Sequence, residues 1–146
     1  SVGDSGLREN IKIWGFWNIL GSEAFDMPSE EEIRPWYHAW TLMCRYFPKG
    51  CDIQEVECSA PSGIRVCASE MEDRHTVAMV NFSSDDVTAD LTLPYTFSKA
   101  RVYVYEDSFY EIGADGVLEP SVKGISGKSM KIKIPSQSLV LITDMG

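Results

Sequence analysis

Over the last two thirds of the chain, apolar and polar residues alternate in short runs separated by turn-forming residues, the signature of antiparallel strands. Met130, Ile132 and Ile134 point one way while Lys131 and Lys133 point the other, and Val87, Ala89, Leu91 and Leu93 oppose Thr88, Asp90 and Thr92. Such runs have one dry and one wet face. Leu139-Val140-Leu141-Ile142 and Val77-Ala78-Met79-Val80 are instead apolar on both sides, which marks central strands, or strands also covered from outside. About eight strands are expected, at 52–58, 63–69, 76–82, 87–93, 100–105, 117–122, 130–134 and 138–143. Pro61-Ser62-Gly63, Ser83-Ser84-Asp85-Asp86, Pro94, Asp115-Gly116 and the stretch 124–127 supply the turn residues between them.

The first third reads differently. Residues 11–17 form one apolar extended segment, 18–28 a loop, and a single helix ends before Pro48. Ser29 and Glu32 match a capping box, but Pro35 falls too deep for an undisturbed helix, so a short turn and a restart with Pro35 near the first helical position are expected. From there Trp36, Trp40, Met43 and Phe47 recur at helical spacing, with Tyr37 and Cys44 beside them, a stripe that ordinarily packs into a core. Pro48 and Gly50 close the helix. The expected organisation is therefore an appendage over 1–50 and an antiparallel two-sheet β-sandwich over 51–146, in a mainly β chain.

Composition narrows what such a chain does. Its 146 residues suit one domain, with 44% hydrophobic residues to form a core. Thirteen Lys and Arg against twenty-two Asp and Glu give a net charge of −9, which disfavours nucleic acid and anionic membrane surfaces as partners. The apolar runs are far shorter than the roughly 20 residues that span a bilayer. Cys44, Cys51, Cys58 and Cys67 form no CxxC pair, and His38 and His75 add no zinc-type spacing, so neither metal nor cofactor is expected. The even cysteine count leaves open both disulfides and buried thiols. Glu30-Glu31-Glu32 is accounted for by the macrodipole of a helix start, and Asp85-Asp86 by a solvated turn. The G-x-S-x-G, G-x-G-x-x-G and P-loop motifs are absent. The opening Ser1-Val2-Gly3-Asp4-Ser5-Gly6, without Met or an apolar leader, is expected to mark an artificial junction or the start of an excised fragment.

Nine of the sixteen aromatics, including all four Trp, lie at or before Phe47. Ile13-Trp14-Gly15-Phe16-Trp17-Asn18, followed by Arg34-Pro35-Trp36-Tyr37-His38-Ala39-Trp40 and Arg45-Tyr46-Phe47-Pro48-Lys49-Gly50, resembles the eighth strand and eighth helix that finish a (β/α)8 glycoside hydrolase barrel. Val80-Asn81-Phe82-Ser83 and Ile134-Pro135-Ser136-Gln137-Ser138-Leu139-Val140-Leu141 resemble strand ends of the C-terminal β-sandwich that such enzymes carry. The resemblance covers nearly the whole chain and rests on the order and spacing of short motifs. It implies that the catalytic carboxylates, held roughly 5 to 10 Å apart around the scissile bond, stand on earlier barrel strands outside this sequence.

On that resemblance the chain is a non-catalytic accessory sandwich that packs on and stabilises a catalytic barrel of the same or parent chain, inactive alone. Trp14 and Trp17, at the end of the last barrel strand, are then positioned to stack on a sugar ring, with Asn18 or Glu23 bonding to hydroxyls. Trp36 and Trp40 are expected to pack. The alternative is a stand-alone carbohydrate-binding module whose exposed tryptophans take up oligosaccharide. An immunoglobulin-type interaction sandwich is disfavoured, because its Cys and Trp placement is missing. Without a barrel, the 11–47 segment is expected to self-associate or to fold back onto the sandwich. The loop around Phe109-Tyr110 is expected to plug onto a neighbouring barrel.

Overall fold

The computed structural model describes residues 35–59, 62–106 and 110–146. The expected strand 11–17, the loop 18–28 and the capping pair Ser29 and Glu32 lie outside them. Helix α1 spans Pro35–Tyr46, so the proline stands at the first helical position, where its missing N–H costs nothing. Phe47 N–H still bonds to the Met43 carbonyl, and the chain leaves the helix through Pro48 and a left-handed Gly50 at φ 92°.

Six strands follow: β1 Asp52–Gln54, β2 Ile64–Met71, β3 Arg74–Asn81, β4 Val87–Glu106, β5 Val122–Ile134 and β6 Ser138–Thr143. All neighbours pair antiparallel in one sheet of order β1-β2-β3-β6-β4-β5. The mainly β class holds. Expected were about eight strands in two sheets; six strands in one continuous sheet are found, and the reason lies in β4 and β5. The expected runs 87–93 and 100–105 are one 20-residue strand. Pro94, read as a turn, sits inside it, between Thr92 and Phe97, where the pairing with β5 shifts register. A proline lacks the ladder N–H, so such an irregularity is where a strand tolerates one. Further shifts follow between Phe97 and Arg101, with Lys99 at φ 57°.

The expected turn at 124–127 is likewise inside β5, where Gly124 and Gly127 take φ 83° and 141° opposite the β4 irregularities. Bulges of this kind bend a sheet. The first half of β4 and the end of β5 fold over the rest, so that Leu93, Phe97, Ile132 and Ile134 share one buried cluster with Ile64, Val77, Met79, Val140 and Ile142. Two packed layers thus arise within a single hydrogen-bonded sheet. The expected strand 117–122 is instead loop up to the start of β5 at Val122, pinned by the Ile112–Leu118 bridge and by Gly116 at φ 76°. One turn escaped the pattern altogether: Glu72 and Asp73, at φ 51° and 59°, join β2 to β3 in two residues, the left-handed pair that matches strand twist.

The register matches the alternation read in the sequence. Val87 faces Ile134, Ala89 faces Ile132 and Leu91 faces Met130 on the inner side, while Asp90 meets Lys131 at 2.6 Å on the wet side. Val77–Val80 of β3 and Leu139–Ile142 of β6 are the central pair, and a second buried cluster covers their other face. Asn81, 1% exposed, ends β3 by donating to the Asp85 and Ile134 carbonyls and accepting from the Ser83 N–H and hydroxyl. That satisfies the buried amide and fixes the β3–β4 turn.

Candidate functional site

The outer face of the sheet is where α1 meets the sandwich. Leu42 and Tyr46, 0% and 1% exposed, lie against Ala78 of β3, Tyr103 and Tyr105 of β4, and Leu139 and Leu141 of β6, with Leu118 and Met145 at the margin. His38, Leu42 and Tyr46 recur every four residues and so share one helix face. The sequence pointed to the Trp36, Trp40, Met43 and Phe47 stripe as the packing face; Met43 and Phe47 do pack against this layer, partly buried, while Trp40 is half-buried and Cys44 exposed. The face that is buried completely is the neighbouring one, through Leu42 and Tyr46. Tyr46 reaches the Tyr103 hydroxyl at 2.5 Å, and Leu42 is buried in the same cluster. Burial, and then the bond from Tyr46, push the Tyr103 phenol well above its ordinary range.

At the other end of this layer His38 is buried among Tyr37, Tyr105 and Tyr110, with ring centroids 5.7, 6.2 and 4.9 Å away. Tyr110, expected to plug a neighbouring barrel, packs into this layer of its own chain; residues 107–109 lie outside the described residues. Burial lowers the His38 pKa from 6.5, and among the described residues His38 forms no ion pair. The sign is fixed by linkage: the folded state favours the neutral ring, so this group's contribution is complete above pH 6.5 and is lost as pH falls from there toward the depressed folded value. Acidification from pH 7.5 to 5 is therefore expected to lower the urea midpoint, and His38→Gln to remove that part of the pH dependence. An unchanged slope in the variant would place the titration elsewhere.

Beside Tyr46 the layer opens into a polar cleft of about 330 Å³ between the end of α1, β4, the 110–121 loop and the start of β5. Arg45, Arg101, Lys123, Asp115, Glu119 and Tyr103 line it. Arg45 and Arg101 each hold their guanidinium 5.8 Å from the Tyr46 ring centroid, within reach of a cation–π contact. Asp144 fastens the end of β6. Its carboxylate accepts the His75 N–H at 2.7 Å and the Ser98 N–H at 3.3 Å, and its own N–H bonds to the His75 carbonyl. His75 stacks on Tyr95 at 3.4 Å, and burial, with the charges of Asp144 and Glu70 behind it, pushes the Tyr95 phenol up to about 12.

Among the described residues no group of three or more His, Cys, Asp or Glu side chains is placed to hold a metal ion. Cys67 is buried, Cys51 half-buried, and Cys44 and Cys58 are exposed, all four as free thiols. Burial raises the Cys44 and Cys51 pKa values, which works against thiolate chemistry. Trp14, Trp17, Asn18 and Glu23 lie outside the described residues. What the geometry of the described residues offers is thus an apolar layer that fuses a helix to a sheet, with a polar cleft at its edge.

This arrangement has counterparts of known structure. The chain superposes on a glycoside hydrolase family 30 subfamily 8 xylanase from Clostridium acetobutylicum with a TM-score of 0.68 at 11% identity, over 84% of this chain and 31% of that one. The catalytic domain of a family 30 xylanase from Talaromyces cellulolyticus gives 0.67 at 15% identity, over 87% and 29%. A family 30 endoxylanase from Clostridium papyrosolvens gives 0.62 at 12% identity, over 77% and 28%. The likeness is one of fold. The chain spans less than a third of each xylanase. No family model matches it, and no curated protein matches it in sequence.

Proposed function

We propose that this chain is the non-catalytic accessory β-sandwich of a carbohydrate-active enzyme, packing against and stabilising a (β/α)8 catalytic barrel. One observation carries the reading: α1 is not a free linker but is sealed onto the outer sheet face through fully buried Leu42 and Tyr46. A helix fused to a sandwich in this way transmits stability across the junction, because it cannot move without exposing that layer. The fold shared with family 30 xylanases supports the glycoside-hydrolase part of this reading. The half-buried Trp40 marks the surface we assign to the barrel, and Trp14 and Trp17 are the residues we assign to sugar stacking in the intact enzyme, with Asn18 and Glu23 as hydroxyl partners.

The test is the gene upstream of Ser1 together with a binding assay. The reading frame is expected to continue back by about 250 residues or more with βα alternation, and the chain alone to leave neutral xylo-oligosaccharides uncleaved and its tryptophan fluorescence unchanged at millimolar sugar. A frame that opens at residue 1, or saturable quenching by those sugars, overturns the reading in favour of a stand-alone carbohydrate-binding module.

A further inference from the structure

The cleft beside Tyr46 has no part in the packing role, and its charges are distributed unevenly. At the rim Arg45 approaches Asp115 at 3.8 Å and Lys123 approaches Glu119 at 3.4 Å, all four side chains well exposed. Pairs this long and this solvated contribute little and re-pair readily. Arg101 differs. It is half-buried, its guanidinium donates to the Met145 carbonyl and lies by the Tyr46 ring, and among the described residues it has no carboxylate partner. A guanidinium carries five donors in a planar fork, and one that is partly desolvated without a counter-anion favours a ligand that supplies one. The volume of about 330 Å³ is at the lower end of the small-molecule range.

We propose that this cleft binds a small polyhydroxy carboxylate. The carboxylate seats on the Arg101 fork, and the hydroxyls exchange hydrogen bonds with Lys123 as donor and with Asp115 and Glu119 as acceptors, displacing the weak rim pairs. Both signs at the rim suit hydroxyl groups, each of which donates and accepts, whereas two carboxylates there repel a multiply charged anion. The chain's net charge of −9 gives no general attraction for anions, so selectivity rests on Arg101. This inference stands apart from the accessory role and does not depend on it.

The probe is gluconate, titrated into the whole chain by calorimetry at constant ionic strength, with sorbitol and potassium chloride as controls. Saturable binding is expected for gluconate alone. Arg101→Gln is expected to weaken it about tenfold, as loss of a charge-assisted bidentate pair does, and the double variant Arg45→Gln/Lys123→Gln, which touches only exposed side chains, about threefold. Gluconate and sorbitol binding alike, chloride reproducing the signal, or gluconate failing to bind overturns the proposal. So does unchanged affinity in folded Arg101→Gln; should that variant not fold, unchanged affinity in the rim double variant overturns it in the same way.

Discussion

Phe97→Ala is expected to lower the unfolding free energy by about 3–5 kcal/mol, the cost of emptying a large aromatic site in a close-packed core. Phe97 is fully buried where β4 bends, faces Gly127 across the ladder, and meets the Tyr95 ring edge-on at 5.5 Å. It sits among Leu93, Ile132, Ile134, Val140 and Ile142, which come from both layers. Collapse of neighbours into the space is opposed because glycine contributes no side chain opposite it. Urea unfolding of the variant, followed by tyrosine and tryptophan fluorescence, measures the loss. A change below about 1 kcal/mol would mean that the bend relaxes to fill the void, and that the two layers are held by their ladder more than by this ring.

Leu42→Ala is expected to cost about 2–5 kcal/mol, in the range of leucine truncations at sites that cannot close. Leu42 is fully buried between helix and sheet, flanked by Tyr46 and by Tyr105 and Leu141. The loss should appear in one transition with that of the sandwich, because the helix and the central strands share this layer. Two separate transitions, or a cost under about 1 kcal/mol, would show that α1 unfolds independently, and the stabilising role assigned to it would fall.

Much of this architecture could be read from residue order. Period-two alternation placed the inner faces of β4 and β5, and the doubly apolar Val77–Val80 and Leu139–Ile142 foretold a sheet covered on both sides, with α1 as the cover on the outer one. Pro35 and Gly50 bracketed the helix as their backbone geometry requires. What misled was the equation of Pro and Gly with turns. Pro94 and Gly124 do break the ladder, but inside long strands, where the break bends the sheet without reversing the chain. That distinction depends on which strand lies opposite, which local sequence does not specify.

The most deeply buried face of α1 was missed for a related reason, although Met43 and Phe47 of the expected stripe do pack beside it. Tryptophan outweighs histidine and tyrosine in any reading by hydrophobicity, yet the His38, Leu42 and Tyr46 face ends in a hydroxyl that finds its partner on β4, 57 residues away. The cleft at Arg101 was invisible, since its lining comes from four separate stretches of chain. A single half-buried arginine in a strand gives no local pattern to detect.

The order of the sheet has a consequence for synthesis. β6 follows every other strand in sequence but is inserted in the middle of the sheet, between β3 and β4. Until it emerges, both of those strands present an unsatisfied, largely apolar edge, so the nascent domain exists as two unjoined halves prone to association. Quality of folding therefore hangs on the strand that is made after the rest of the sheet, and a chain cut ahead of Ser138 should yield inclusion bodies instead of a slightly smaller soluble domain.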